Sequence, residues 1–268
     1  MGKYLHVASL GLQSNLVYRA NFFFRALFAL VPLTAVLLLW RAIFEGKGEG
    51  GTMGGWDFSQ LVSYYLLVMI VDALTAVTED DWQIASDIKD GRISQFLLKP
   101  VDYLAYRFSL FASGRLIYTL SAAIPVAAYL FWQRAHLAPP ADATAGAVFA
   151  VSVLLALLLQ FLIAYTMALL AFWVLEVATF IFIQFALEYI ASGQLFPLDL
   201  LPPAVLRVVE LTPYPYLMFF PVSVYLGRIT GDALWRGLAI QAGWVVLAYL
   251  LARFVWSRGI RKYSAAGG

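Results

Sequence analysis

Apolar residues along this chain gather in long blocks separated by short polar stretches. A bilayer hydrocarbon core of about 30 Å needs about 20 helical residues to cross it. Six blocks qualify, at 22–44, 58–77, 108–132, 145–167, 174–195 and 233–256. The pattern predicts an all-α integral membrane fold with six transmembrane helices, the whole of 1–268 forming a single domain. The first block is apolar between Arg25 and Arg41, whose long stems reach toward the headgroup layers. Residues 196–226 are apolar enough to suggest a seventh span, but they carry Pro197, Pro202, Pro203, Pro213, Pro215 and Pro221. Each proline removes a backbone donor and crowds the preceding turn. An outer re-entrant helical hairpin over 196–232, sheltered by protein, is predicted there instead. Residues 3–21 read as a partly amphipathic interfacial helix along the membrane surface, with Leu5, Leu12 and Leu16 near one face. A frayed polar tail is the alternative.

Composition agrees with the block pattern. Of 268 residues, 62% are hydrophobic and 13% charged, where a soluble domain has about 45–50% and about 25%. Mean hydropathy is +0.80, so the solvent of this surface is lipid. Charge position sets the orientation. With six spans and both termini cytoplasmic, 12 of the 18 Lys and Arg residues fall inside: Lys3, Arg19, Arg25, Lys89, Arg92, Lys99, Arg107, Arg115, Arg253, Arg258, Arg261 and Lys262. Arg41, Lys47, Arg134, Arg207, Arg228 and Arg236 fall outside, as the positive-inside rule expects. A seventh span would expel the basic tail. Tryptophans agree, with Trp40, Trp132 and Trp235 at the outer interface and Trp82, Trp173 and Trp256 at the inner. The N-terminus lacks the features of a cleaved signal peptide and is expected to stay on the mature chain.

Several chemistries are excluded at this stage. There is no cysteine, hence no disulfide or thiolate site. His6 and His136 fall on opposite sides of the predicted bilayer, so no metal site is expected. The glycine-rich segment 46–55 lacks the G-x-x-x-x-G-K-[ST] order that cradles phosphates, and reads as a flexible loop. No cofactor is therefore expected in this chain. An integral membrane enzyme is disfavoured because no Ser–His, clustered-His or paired-carboxylate arrangement appears.

Two features carry the expected mechanism. In the cytoplasmic loop 78–107, Ile84 and Ile88 lie one turn apart, Asp90 and Gly91 break the helix, Ile93, Phe96 and Leu97 restart it, and Pro100 stops it. A short amphipathic helix flanked by charges reads as a docking element for a soluble partner, with Ile93, Phe96 and Leu97 as its anchors. A helix resting on headgroups is the alternative. Inside the lipid zone, Asp72 and Arg115 both lie roughly 10–12 Å from the cytoplasmic surface and are expected to form an intramembrane ion pair; a substrate contact or independent snorkelling are the other readings. Gln160, Gln184, Glu188 and Gln241 supply polar groups at middling depth, read either as a translocation lining or as interhelical hydrogen bonds.

The strings SYYLLVMIVDALT (63–75) and SDIKDGRISQFLLKPVDY (86–103) resemble ABC-2-type permeases, the membrane halves of one class of ATP-binding-cassette exporters. SGQLFPLDLLP (192–202) and PYPYLMFFPVSVYLGR (213–228) resemble the outer hairpin of a bacterial six-span branch of that family. The resemblance implies a multi-pass subunit of the bacterial cytoplasmic (inner) membrane. It implies that Asp90, Gly91, Arg92, Ile93, Ser94, Phe96, Leu97, Leu98, Lys99 and Pro100 form an ATPase-coupling segment within 82–103. ATP and magnesium would sit on a separate ATPase subunit, and a second permease subunit, like or unlike, would complete the pore. No nucleic-acid partner is implied. The rival reading is a secondary transporter or channel using Asp72 and Glu188 as proton sites.

Overall fold

The computed structural model describes residues 2–46, 51–77 and 80–263. Among the described residues it is helical throughout, apart from one isolated bridge between Met53 and Trp56. Lys47 and Glu49 of the expected flexible loop lie outside the described residues. The described α-helices are, in order, α1 (Gly2–Val17), α2 (Arg19–Glu45), α3 (Phe58–Thr75), α4 (Asp80–Lys89), α5 (Ile93–Leu97), α6 (Tyr103–Trp132), α7 (Ala143–Ala168), α8 (Ala178–Ala191), α9 (Pro203–Val209), α10 (Phe219–Tyr225) and α11 (Gly231–Lys262).

Three long helices start where an aspartate satisfies otherwise orphaned amides. Asp57 accepts from Gln60 N at 2.8 Å, Asp102 from Ala105 N at 3.0 Å and Asp142 from Ala145 N at 2.7 Å. These caps move the starts of α6 and α7 ahead of the apolar blocks that announce them. Among the described residues, five helical segments are long and apolar enough to cross a membrane: Arg19–Glu45, Phe58–Thr75, Tyr103–Trp132, Ala143–Phe172 and Gly231–Lys262.

The predicted fifth span, 174–195, is shorter than expected. Its helix α8 has 14 residues, about 21 Å at ~1.5 Å per residue. The helix ends because Gly193 turns the chain at φ +87°, where an added Cβ would lie 2.6 Å from the Tyr64 hydroxyl. Two α3 tyrosines then hold the unwound backbone: Tyr64 Oη donates to Gly193 O at 2.6 Å and Tyr65 Oη to Leu195 O at 2.7 Å. Irregular backbone survives inside a membrane bundle when protein satisfies it in this way.

The proline-rich stretch then folds back into the bundle. Pro203 opens α9, Pro215 lies in a 3₁₀ turn at Tyr214–Tyr216, and Pro221 is in the first turn of α10, positions where a missing amide costs little. Tyr214 Oη donates to Gln184 Oε1 of α8 at 2.6 Å, and Tyr216 O accepts from Gln241 of α11 at 2.8 Å. Two short helices thus flank a tip that reaches the interior faces of α8 and α11.

The core centres on α3, whose residues from Leu61 to Val68 are all buried. By contrast α2 leaves Phe28, Val31, Leu38 and Leu39 exposed, the surface of a helix that meets lipid or another subunit. The ends of the bundle sort cleanly. At one end Asp102 N donates to the Tyr4 hydroxyl, Lys3 reaches Pro100 O, Arg253 pairs with Asp102 and Tyr263 reaches Gly91 O. At the other, Trp56 and Arg228 meet on Asp199, and Ser63 bridges to His136 and Ala138. The helix α1 is braced rather than merely laid on lipid. It follows the first turns of α6 in the same direction, with Tyr4 at Asp102, Ala8 at Ser113 and Asn15 at Gly114.

Candidate functional site

The segment between α3 and α6 folds as the sequence pattern predicts, as two short helices with a break at Asp90–Gly91. Gly91 takes φ +75°, a conformation that an L side chain rarely adopts. Its carbonyl accepts from Ser94 Oγ at 2.6 Å and from Tyr263 Oη at 3.0 Å, so the chain's last described residue pins the turn. Asp90 accepts from Ser86 at 2.7 Å and from Arg92 at 3.0 Å.

The apolar face of this segment is used inside the chain. Ile84, Ile88 and Ile93 are fully buried against Phe161, Leu162, Tyr165 and Leu169. Phe96 packs on Tyr106 at 4.8 Å and Tyr103 at 5.1 Å, with Lys99 over its ring. Ile93 is therefore an anchor to the chain's own helices, correcting its expected part as an anchor for a partner, while Phe96 is half-buried. Leu97 and Leu98 remain, 50% and 88% exposed, beside exposed Arg92, Lys99 and Pro100. The correction has a simple cause. Periodicity identifies a face that is buried but not what buries it.

Beneath these helices lies an ionic knot. Arg107, with its side chain 5% exposed, donates to Asp87 at 2.5 Å and to the Tyr103 hydroxyl at 3.0 Å. Tyr103 donates in turn to Asp87 at 2.8 Å, and Arg92 approaches the other Asp87 oxygen at 3.3 Å. This joins α4, α5 and α6 through side chains that satisfy one another in a poorly solvated place.

Arg115 reaches Asp72 at its backbone. The guanidinium donates to the backbone carbonyls of Asp72 at 3.3 Å and Ala73 at 3.2 Å, and lies 4.5 Å over the Tyr118 ring. The Asp72 carboxylate accepts from Gln194 at 3.2 Å. Helix α3 is thus tied near its end to α6 and to the unwound chain after α8.

Three of the four polar candidates form one cluster. Gln160 of α7 donates to Glu188 Oε1 at 2.6 Å, and Gln184 to Glu188 Oε2 at 3.1 Å. Ile181, Gln184 and Glu188 make the single buried stripe of α8, which turns two polar groups into the bundle and its aromatics outward. Gln160 Oε1 has no hydrogen-bond partner, and the cluster borders a cavity of about 250 Å³ that reaches Arg25, Asp81 and Trp82. Burial pushes the Asp81 carboxyl above the usual range, opposed by the bond it accepts from Trp82 N at 2.8 Å. Gln241 stands apart. It is closed into a knot with Ser152 and Tyr216 O, with all bonds between 2.8 and 2.9 Å.

Residues 30–267 match the model of the family described as ABC-2 family transporter protein. The chain belongs to the ABC-2 transporter family. No curated protein matches it in sequence. It is therefore a multi-pass permease of the ABC-2 type, the membrane component of such transporters.

Several residues that organise this permease were missed from sequence. The sequence pattern marks Arg107 only as a cytoplasmic charge and gives Asp87, Tyr103, Gln194, Tyr214 and Tyr263 no role. Spacing offered one clue: Tyr103 and Arg107 sit one helical turn apart, placing both on one face. Nothing local marked Asp87 as their partner, 20 positions upstream of Arg107.

Proposed function

We propose that this permease is one subunit of an ATP-driven exporter in a bacterial cytoplasmic membrane, crossing six times with both termini inside. The short α8 and the hairpin after it together serve as the fifth passage. Family membership and the gathering of Lys3, Arg253 and the α4–α5 segment at one end of the bundle support this orientation. ATP and magnesium are bound by a separate ATPase, which docks on the outward face of α4 and α5. A second permease subunit, identical or related, completes the route, and the substrate is lipophilic or amphipathic. Gln160, Gln184 and Glu188 line that route at the cavity, while the closed knot of Gln241 leaves it a structural role.

The observation that carries this reading is the anchoring of α4 and α5. Their inner faces are bolted to α6, α7 and the end of α11, yet Leu97 and Leu98 project outward. An element so fastened transmits displacement to the spans rather than absorbing it. Leu97→Ala with Leu98→Ala leaves the interior untouched and is expected to weaken ATPase binding by about 2 kcal/mol or more, as for a central interface anchor. Purification of the native complex, with co-purified ATPase and its stimulated hydrolysis measured, checks this. Unchanged binding and hydrolysis would sink the docking role. Transport that persists without any ATPase and collapses with the proton gradient would favour the secondary-transporter reading through Glu188.

A further inference from the structure

A wider cavity, about 990 Å³, lies at the Trp132 end of the bundle, between α2, the start of α3 and the end of α6. It is separate from the proposed route. Thr34 on its wall stands nine residues beyond Arg25 of the Glu188 cavity, two and a half turns at ~3.6 residues each, and so on the opposite side of α2. The base of the wedge is a bond between α2 and α6. Thr34 Oγ1 donates its one hydrogen to Leu30 O at 2.7 Å, so the Tyr129 hydroxyl donates to Thr34 across 3.0 Å. Each helix carries an interior proline just before this bond, Pro32 in α2 and Pro125 in α6, which removes a backbone donor and favours a bend. Beyond it, Trp40 Nε1 donates to Tyr65 Oη at 2.8 Å and Phe44 packs on Phe58 at 6.0 Å. These contacts draw α2 toward α3 and leave the gap on the α6 side.

The walls are graded along the wedge. Its deep part is built from Leu37, Leu38, Phe44 and Val62, and the Thr34 hydroxyl at its base is spent on Leu30 and Tyr129. Its rim is polar, but the groups there already have partners. Asp57 caps α3, Arg41 bonds Glu45, and the His136 ring meets Ser59. An occupant therefore gains by apolar contact along its length, and its polar end needs only water. Depth decides what that occupant is. Thr34 and Arg41 are separated by about 10 Å of rise, against about 15 Å for half of a hydrocarbon core of about 30 Å. With Trp132 and Arg41 at the interface, the apolar part of the wedge spans acyl-chain depth. Leu38 and Trp132, both exposed, give it a mouth toward the lipid. Water finds few partners between such walls, and an empty gap forfeits their contacts, so an alkyl chain is the occupant that fits.

We propose that this wedge is a binding site for one acyl chain of a membrane lipid from the leaflet on the Trp132 side, with the lipid headgroup resting at the rim between Arg41 and His136. The site recognises the chain rather than the headgroup. A seated chain packs on Leu37 and Val62 and braces the half of α2 that follows Pro32. The proposal does not depend on the direction of transport, on the ATPase or on the Glu188 cavity.

The full-length chain is reconstituted in phosphatidylcholine vesicles doped with phosphatidylcholine that carries a diazirine in one acyl chain. After photolysis, the labelled residues are located by peptide mass spectrometry. Labelling of 34–38, 58–62 and 129–133 is expected to exceed that of the exposed α11 residues Val246, Leu247 and Leu250 about tenfold. Leu38→Trp, a change at an exposed side chain on the mouth, is expected to reduce the wedge labelling about tenfold and to leave that of α11 unchanged. Ser59→Trp, which narrows the same space from α3, serves as the second variant. The same diazirine chain on phosphatidylglycerol should label the wedge equally, and a strong preference between the two headgroups would overturn recognition by the chain. Even labelling of α2, α6 and α11 would reduce the wedge to ordinary lipid contact and sink the proposal. Undiminished labelling in both tryptophan variants would remove the site. Wedge residues that escape the lipid label but cross-link to a second copy of the chain would assign this face to a subunit contact instead.

Discussion

Two buried polar clusters in this protein are built on opposite plans. Around Asp87, each carboxylate oxygen meets an arginine, and a tyrosine hydroxyl bridges guanidinium to carboxylate. Around Glu188, each oxygen receives a single amide hydrogen, Gln160 Oε1 is left without a partner, and open space lies alongside. The first closes on itself, and in a low dielectric such closed charge networks resist rearrangement. The second consists of flexible amides whose bonds exchange for others at small cost. The tight cluster joins the α4–α5 segment to the spans. Both border open space, about 560 Å³ beside Asp87, Arg92 and Arg107 and about 250 Å³ beside Glu188, so bonding and not the presence of a cavity separates them.

The largest effect that tests this contrast is loss of one partner from the tight cluster. Arg107→Ala removes the bond to one Asp87 oxygen and leaves that carboxylate with Tyr103 and the half-exposed Arg92, which is expected to cost about 1–3 kcal/mol. Thermal unfolding in detergent should show it as a large drop in midpoint and in yield. The double change Asp87→Asn with Arg107→Gln is expected to cost less than the sum of its singles, since both singles lose the same contact between the two side chains. Additive costs would mean the network is not a unit, and the contrast between the clusters would fail.

A middle-sized effect is expected at the turn that the tight cluster supports. Gly91→Ala places a side chain at φ +75° and should cost about 1–2 kcal/mol. Tyr263→Phe removes only the 3.0 Å bond to the Gly91 carbonyl, so about 0.5–1.5 kcal/mol is expected. Both are read from denaturant or thermal unfolding, with loss of ATPase-coupled transport as the companion measurement. Full stability and coupling in both variants would show that the turn needs no fixing.

Much of this was legible in the sequence because lipid enforces simple rules. Block length gave five of the spans, prolines marked the hairpin, and the Ile84, Ile88, Gly91, Pro100 spacing outlined the two short helices. The shortened α8 was not legible. Its end is set by Tyr64 and Tyr65 of α3 capturing carbonyls about 130 positions away, a long-range event with no local signature. The same holds for the candidate site. Gln184 and Glu188 announced a shared face by their spacing of one turn, but Gln241 resembled Gln160 in depth and type. Only the partners, Ser152 and Tyr216 O in one case and a cavity in the other, separate the closed residue from the open one.

The smallest expected effect on stability belongs to the loose cluster, and it is the most discriminating. Gln160→Leu keeps similar bulk on α7 and removes one 2.6 Å donor to Glu188 Oε1. Side-chain hydrogen bonds inside membrane proteins average about 0.6 kcal/mol, and Gln184 remains in place on the other oxygen. Stability should therefore fall by no more than about 1 kcal/mol. If the cavity is part of the route, substrate-stimulated ATP hydrolysis or transport should change severalfold, because a polar contact for the solute has become apolar. The Gln241→Leu variant supplies the opposite sign. There two hydrogen bonds to backbone oxygens and one from Ser152 are lost at a fully buried position, so stability should suffer more and turnover of the remaining folded protein less. Measuring unfolding and transport on both variants places each residue on two axes. If Gln160→Leu destabilises as much as Arg107→Ala, or Gln241→Leu alters turnover as much as Gln160→Leu, then the division between locked and yielding polar groups does not describe this bundle.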